Sequence, residues 1–112
     1  MVDGIYEITF RGAADWGMGI LILKDETITG ADVGGALYDG TYSDQGGDIL
    51  VQITLKVPPG VTLVQGTPPQ PQEYSFDINT TISKQTLDDR QAVTIDLPPG
   101  PVNVIFNRLR EL

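Results

Sequence analysis

Apolar side chains recur at every second residue through most of this chain, and short breaks interrupt each run before a helix could form. In YEITF, Tyr6, Ile8 and Phe10 fall on one side, with Glu7 and Thr9 on the other. In DILVQITLK, Ile49, Val51, Ile53 and Leu55 oppose Asp48, Gln52, Thr54 and Lys56. EYSFDINT alternates most cleanly, setting Tyr74, Phe76 and Ile78 against Glu73, Ser75, Asp77 and Asn79, and AVTIDL and PVNVIF repeat the pattern. A period of two is the spacing of a strand with one dry and one wet face, and the 3.6-residue helical period is nearly absent. The breaks carry turn chemistry: Lys24-Asp25-Glu26, Gly34-Gly35, Gln45-Gly46-Gly47 and Pro98-Pro99-Gly100.

Eight strands are therefore predicted, near residues 4–11, 17–24, 27–33, 36–43, 48–57, 73–81, 91–97 and 101–109. So many sequential antiparallel strands would leave two exposed edges in an open sheet. The predicted fold is an all-β, eight-stranded antiparallel up-and-down barrel with short hairpin turns, lipocalin-like in outline. A chain of 112 residues suits one such domain, 1–112, with an ordinary core. One segment breaks the meander: VPPGVTLVQGTPPQPQ, residues 57–72, holds Pro58, Pro59, Pro68, Pro69 and Pro71. Prolines cannot donate to a ladder, so this is a long surface excursion. A stiff connector across the barrel mouth is the favoured reading, ahead of a lid or a proline-recognition epitope.

Neither cysteine nor histidine is present, which removes disulfides, thiolate and imidazole metal sites, and the commonest general base near neutral pH. The carboxylate pairs Asp25/Glu26 and Asp88/Asp89 sit in turn-like, solvated stretches, so no nucleophile and base can be named and no enzyme is expected. GADVGG precedes no helix and lacks both the dinucleotide-loop spacing and the P-loop lysine. Asp39, Asp44 and Asp48 cluster within ten residues but do not follow a calcium-loop pattern, so neither a metal nor any other cofactor is expected. Glycines such as Gly17, Gly19 and Gly40 read instead as positions that admit a neighbouring ring or permit tight coiling.

Charge narrows the partners. The net charge is −8, and residues 1–48 hold nine acids against Arg11 and Lys24, so the acidity lies in the first half. Phosphate backbones would be repelled and a basic protein attracted. No apolar run approaches a membrane span, and no secretory signal is visible, so a cytoplasmic location is expected. The aromatic residues Tyr6, Tyr38, Tyr42, Tyr74 and Phe76 fall on dry faces, where they pack a core or line a site for a small apolar ligand.

The segments DGIYEITF, GMGILILKDETITGADVGG and YDGTYSDQGGDILVQI resemble, almost in register, the GrlR family of negative regulators of bacterial type III secretion. QEYSFDI and VNVIF are similar to that family's final strands, so the resemblance covers nearly the whole chain and is most specific up to about residue 53. It implies a lipocalin-like barrel that forms a homodimer and sequesters a helix-turn-helix transcriptional activator without touching DNA. The family's activator-contacting loop reads EDED, where this chain reads SDQGGD. The resemblance thus implies Asp44 and Asp48 as the partner-binding acids. Two functions from different classes follow: a regulatory protein that docks a basic partner, and a carrier that holds a small apolar ligand inside the barrel.

Overall fold

The computed structural model describes residues 2–112. Eight strands follow one another: β1 (Gly4–Arg11), β2 (Trp16–Lys24), β3 (Thr27–Asp32), β4 (Leu37–Gln45), β5 (Asp48–Val57), β6 (Tyr74–Ser83), β7 (Val93–Ile95) and β8 (Val102–Glu111). A one-turn helix, α1 (Thr86–Asp89), stands between β6 and β7. All the ladders are antiparallel, in the order β6-β5-β4-β3-β2-β1-β8-β7, and β1 pairs with both β2 and β8. The result is the all-β up-and-down barrel predicted from the alternation, with every strand contributing to one interior.

Alternation becomes burial directly. β5 reads exposed then buried along its whole length, placing Ile49, Val51, Ile53, Leu55 and Val57 inside. Tyr6, Ile8, Leu21, Leu23, Ile28, Ile78, Ile82, Val104 and Phe106 join them in one continuous core. Each aliphatic side chain so buried contributes roughly 1.5–3 kcal/mol relative to exposure. At Gly40 in β4 the neighbouring β5 backbone comes so close that a Cβ would collide with the Gln52 carbonyl oxygen. Only glycine admits that approach, which is the tight coiling expected of this position.

The ring is nearly closed. β6 and β7 share no ladder, and α1 fills the seam with Leu87, which is buried against the strand core. The alternation alone assigns the whole core to strands and β7 to residues 91–97; the structure instead has one helical side chain in the core and a three-residue β7. The reason is local: in KQTLDDRQA only Leu87 and Ala92 are apolar, so no alternation sustains a strand. Ser83 Oγ instead accepts the Thr86 amide at 3.1 Å, and Arg90, in the left-handed region at φ 56°, ends the turn.

The hairpins alternate between two ends. The turn of Asp25 and Glu26, the turn of Gly46 and Gly47, and α1 share one end with the start of β1 and the finish of β8. The β1–β2 and β3–β4 turns, the proline-rich excursion and the β7–β8 turn share the other. The outer surface is divided as well. On β8 and β2, the neighbours of β1, Ile105, Leu109, Ile20 and Ile22 stand exposed, whereas the outer positions of β5 and β6 are polar or charged apart from Leu50. Among the described residues no helix is long and apolar enough to cross a membrane.

Candidate functional site

The barrel interior is not filled. A cavity of about 320 Å³ runs through it, walled by Leu21, Ile28, Ile53, Ile78, Val104 and their neighbours. That is roughly twice an apolar cavity known to accept one benzene ring, and it lies at the small end of the range for ligand pockets. It opens between the β1–β2 and β3–β4 turns, where Trp16 and Val33 line the rim and are exposed.

The proline-rich segment crosses this mouth. Val64 O accepts the amides of Ala14 at 2.9 Å and Asp15 at 3.0 Å, tying the segment to the β1–β2 turn. On the far side Gln65 Nε2 donates to Gly100 O in the β7–β8 turn at 3.4 Å. A tight turn from Leu63 to Thr67 holds the tip, and Gly60 N to Gln70 O, 3.0 Å, joins its two limbs. Gly12 lets the strap lie flat on β1: a Cβ there would meet the Val64 carbonyl oxygen at 2.5 Å. Leu63 points inward, is buried, and lines the cavity together with Val61 and Val64. The segment is the connector across the mouth that the prolines suggested, and it also supplies core. Val61, Leu63 and Val64, the apolar residues of VTLV among the prolines, are the sequence signal for this.

Of the five aromatic residues expected around a ligand, Tyr6, Tyr38 and Phe76 line the cavity. Tyr42 and Tyr74 do not. Tyr42 belongs to a shallow depression at the opposite end, and Tyr74, where β6 begins, is half-buried with its hydroxyl lacking a partner among the described residues. Both occupy inward positions of their strands, but at the extreme levels of the barrel, and strand parity says nothing about height. Tyr38 donates its hydroxyl to Asp32 Oδ2 at 2.8 Å, while Asp32 Oδ1 accepts the amides of Gly34 and Ala36 at 2.9 and 3.1 Å. Burial, reinforced by the Asp32 charge, pushes the Tyr38 hydroxyl pKa well up, so this group remains a neutral donor.

Tyr6 closes the other end of the cavity. Its ring is fully buried, its hydroxyl donates to Val2 O at 2.5 Å, and Arg108 donates to that oxygen through Nη2 at 2.9 Å and Nε at 3.1 Å. The guanidinium carbon stands 5.4 Å from the ring centroid, a cation–π contact. Arg108 also pairs with Asp88 at 3.2 Å and Glu111 at 3.4 Å. Sequence reading missed Arg108, although it continues the inward series Val102, Val104, Phe106 and is the single charge in it.

Asp44 and Asp48 flank the β4–β5 turn at this same end, and both are exposed. Asp44 accepts Lys84 Nζ at 2.7 Å and the Gly46 amide at 3.0 Å, which together hold its carboxyl below the usual range. Asp3, Asp25 and Glu26 stand around the adjoining depression. Tyr42 donates to Asp3, which also accepts the Asp25 amide at 3.2 Å and is held below the usual carboxylate range by these bonds. Burial and the Asp3 hydrogen bond push the Tyr42 hydroxyl up to about 12. Among the described residues no three carboxylates gather as a cage for a metal ion; Asp39 lies on an outward position of β4, away from Asp44 and Asp48.

The arrangement is therefore an apolar chamber with a strapped mouth, sealed at its far end by a tyrosine and an arginine, with an acidic outer surface beyond the seal. A comparison with protein-family models finds no match, and a comparison with curated proteins finds none either.

Proposed function

We propose that this chain is a non-enzymatic binding protein, a GrlR-like cytoplasmic regulator whose interior holds a small apolar ligand and whose acidic end docks a basic protein. The observation that carries the reading is the unfilled chamber. Small barrels are commonly packed solid by their own side chains, and an empty apolar volume of this size forfeits contacts that a guest would restore. The barrel also works as a homodimer, paired through the exposed aliphatic face of β8, β1 and β2, where Ile20, Ile22, Ile105 and Leu109 would leave water. Native mass spectrometry of gently purified protein tests both statements at once. The expected species is twice the 12.1 kDa chain carrying added mass that is lost on collisional activation. A bare 12.1 kDa monomer contradicts both.

The docking of a basic partner is favoured by the placement of Asp44 beside Asp3, Asp25 and Glu26, with Asp48 on the other side of the β4–β5 turn; Lys84 and Arg108 there are already engaged by acids, and Lys24 is the further base near Asp3. Such a partner fits the helix-turn-helix activator implied by the resemblance, since DNA-binding surfaces are basic. Changing Asp44 and Asp48 together to asparagine is expected to remove a basic protein from a pull-down out of the native host. It should leave the thermal midpoint close to that of the parent, because the Asp44–Lys84 pair is solvent-exposed. An unchanged set of captured proteins excludes these two residues from docking.

A further inference from the structure

The chamber's charged lining is one-sided. Among the described residues its walls hold two ionisable charges, Asp15 and Asp32, both at the mouth, and no lysine or arginine. The bases at that end, Arg11 and Lys56, are exposed at strand positions that follow the cavity-lining Phe10 and Leu55, and they do not line it. Arg108 at the sealed end is turned to the Tyr6 hydroxyl, Asp88 and Glu111, with Tyr6 between it and the cavity. A fatty-acid carboxylate thus has no cation to meet at either end, and two carboxylates oppose it at the entrance.

Resting on the ligand-binding reading above, we propose that the chamber selects a cationic amphiphile: an apolar body of roughly eight to ten carbons inside, and a primary amine at the mouth. Three groups there suit an ammonium. Asp15 Oδ1 accepts the Trp16 amide at 2.8 Å and retains acceptor capacity for a further donor. Asp32 is oriented by its bonds to Gly34, Ala36 and Tyr38, so its charge is fixed at the rim. Trp16, the sole tryptophan, lines the same rim with its side chain largely exposed, and an indole face attracts ammonium groups.

The test is a titration of the full chain at neutral pH with three ligands of one chain length: octylamine, octanol and sodium octanoate. Calorimetry gives the affinities, and Trp16 emission reports occupancy of the mouth. The expected order is amine, alcohol, carboxylate, with the carboxylate weaker than the amine by at least about tenfold, the scale set by an unscreened charge pair near a protein surface. Asp15→Asn, an exposed position, is expected to weaken the amine about threefold while leaving the alcohol unchanged. Octanoate binding as tightly as octylamine, or an amine affinity indifferent to Asp15→Asn, overturns this proposal alone. Failure of all three to bind overturns the ligand-binding reading as well.

Discussion

Replacing Gly40 by valine is expected to prevent folding. The collision of a Cβ at this position with the Gln52 carbonyl oxygen involves backbone, which cannot rotate aside as a side chain can. Relief requires β4 to move away from β5, and with it the pairs Gly40↔Ile53 and Thr41↔Gln52 at the centre of the ladder. The cost is more than about 4 kcal/mol, out of a total of roughly 5–15 kcal/mol for a domain of this kind. Circular dichroism and urea denaturation would register it as a lost or strongly shifted transition. Gly47→Ala is the matched control: nothing lies within 4 Å of a Cβ there, so its midpoint should stay near that of the parent. A cooperative transition for Gly40→Val at the parent midpoint would show that the strand approach is looser than described.

A second large effect is expected at Val104, in the middle of β8 on the cavity wall. Val104→Phe directs a ring into empty volume. The usual penalty for enlarging a packed core, typically 1–3 kcal/mol, is therefore reduced to about 1 kcal/mol or less. Ligand binding should fall by at least about a hundredfold, since the added ring occupies much of a cavity sized for a small guest. Parallel thermal melts and octylamine titrations separate the two quantities. Undiminished binding in a stably folded Val104→Phe protein would place the ligand outside the barrel. The same variant is expected to leave the docking of a basic partner intact, because Val104 is distant in register from Asp44 and Asp48.

These expectations rest on features that differ in how plainly the sequence displays them. Strand parity is local, so the inward series of β5 and the alternation of Tyr74, Phe76 and Ile78 were readable from neighbouring residues alone. Height along the barrel depends on the stagger between strands, which parity does not encode. Tyr42 and Tyr74 therefore share inward positions with Tyr38 and Phe76 yet miss the chamber. Arg108 and Tyr6 meet across a separation of 102 residues, and neither segment carries a mark of the other. Lys84 is similarly unreadable as the partner of Asp44, because the two stand 40 residues apart and meet only when β6 has paired with β5 and β5 with β4. VTLV, by contrast, is legible among its prolines: three aliphatic residues in four, Val61, Leu63 and Val64, mark where the excursion turns back to the core.

The seam has a mechanical meaning beyond topology. Anywhere else around the circumference, enlarging the girth means tearing a row of interstrand amide–carbonyl bonds; between β6 and β7 there is none to tear, and the contact there depends on the packing of Leu87. The barrel thus behaves like a hoop with a sprung joint. Any widening of the barrel would therefore cost least at that joint, with the seven ladders keeping their register.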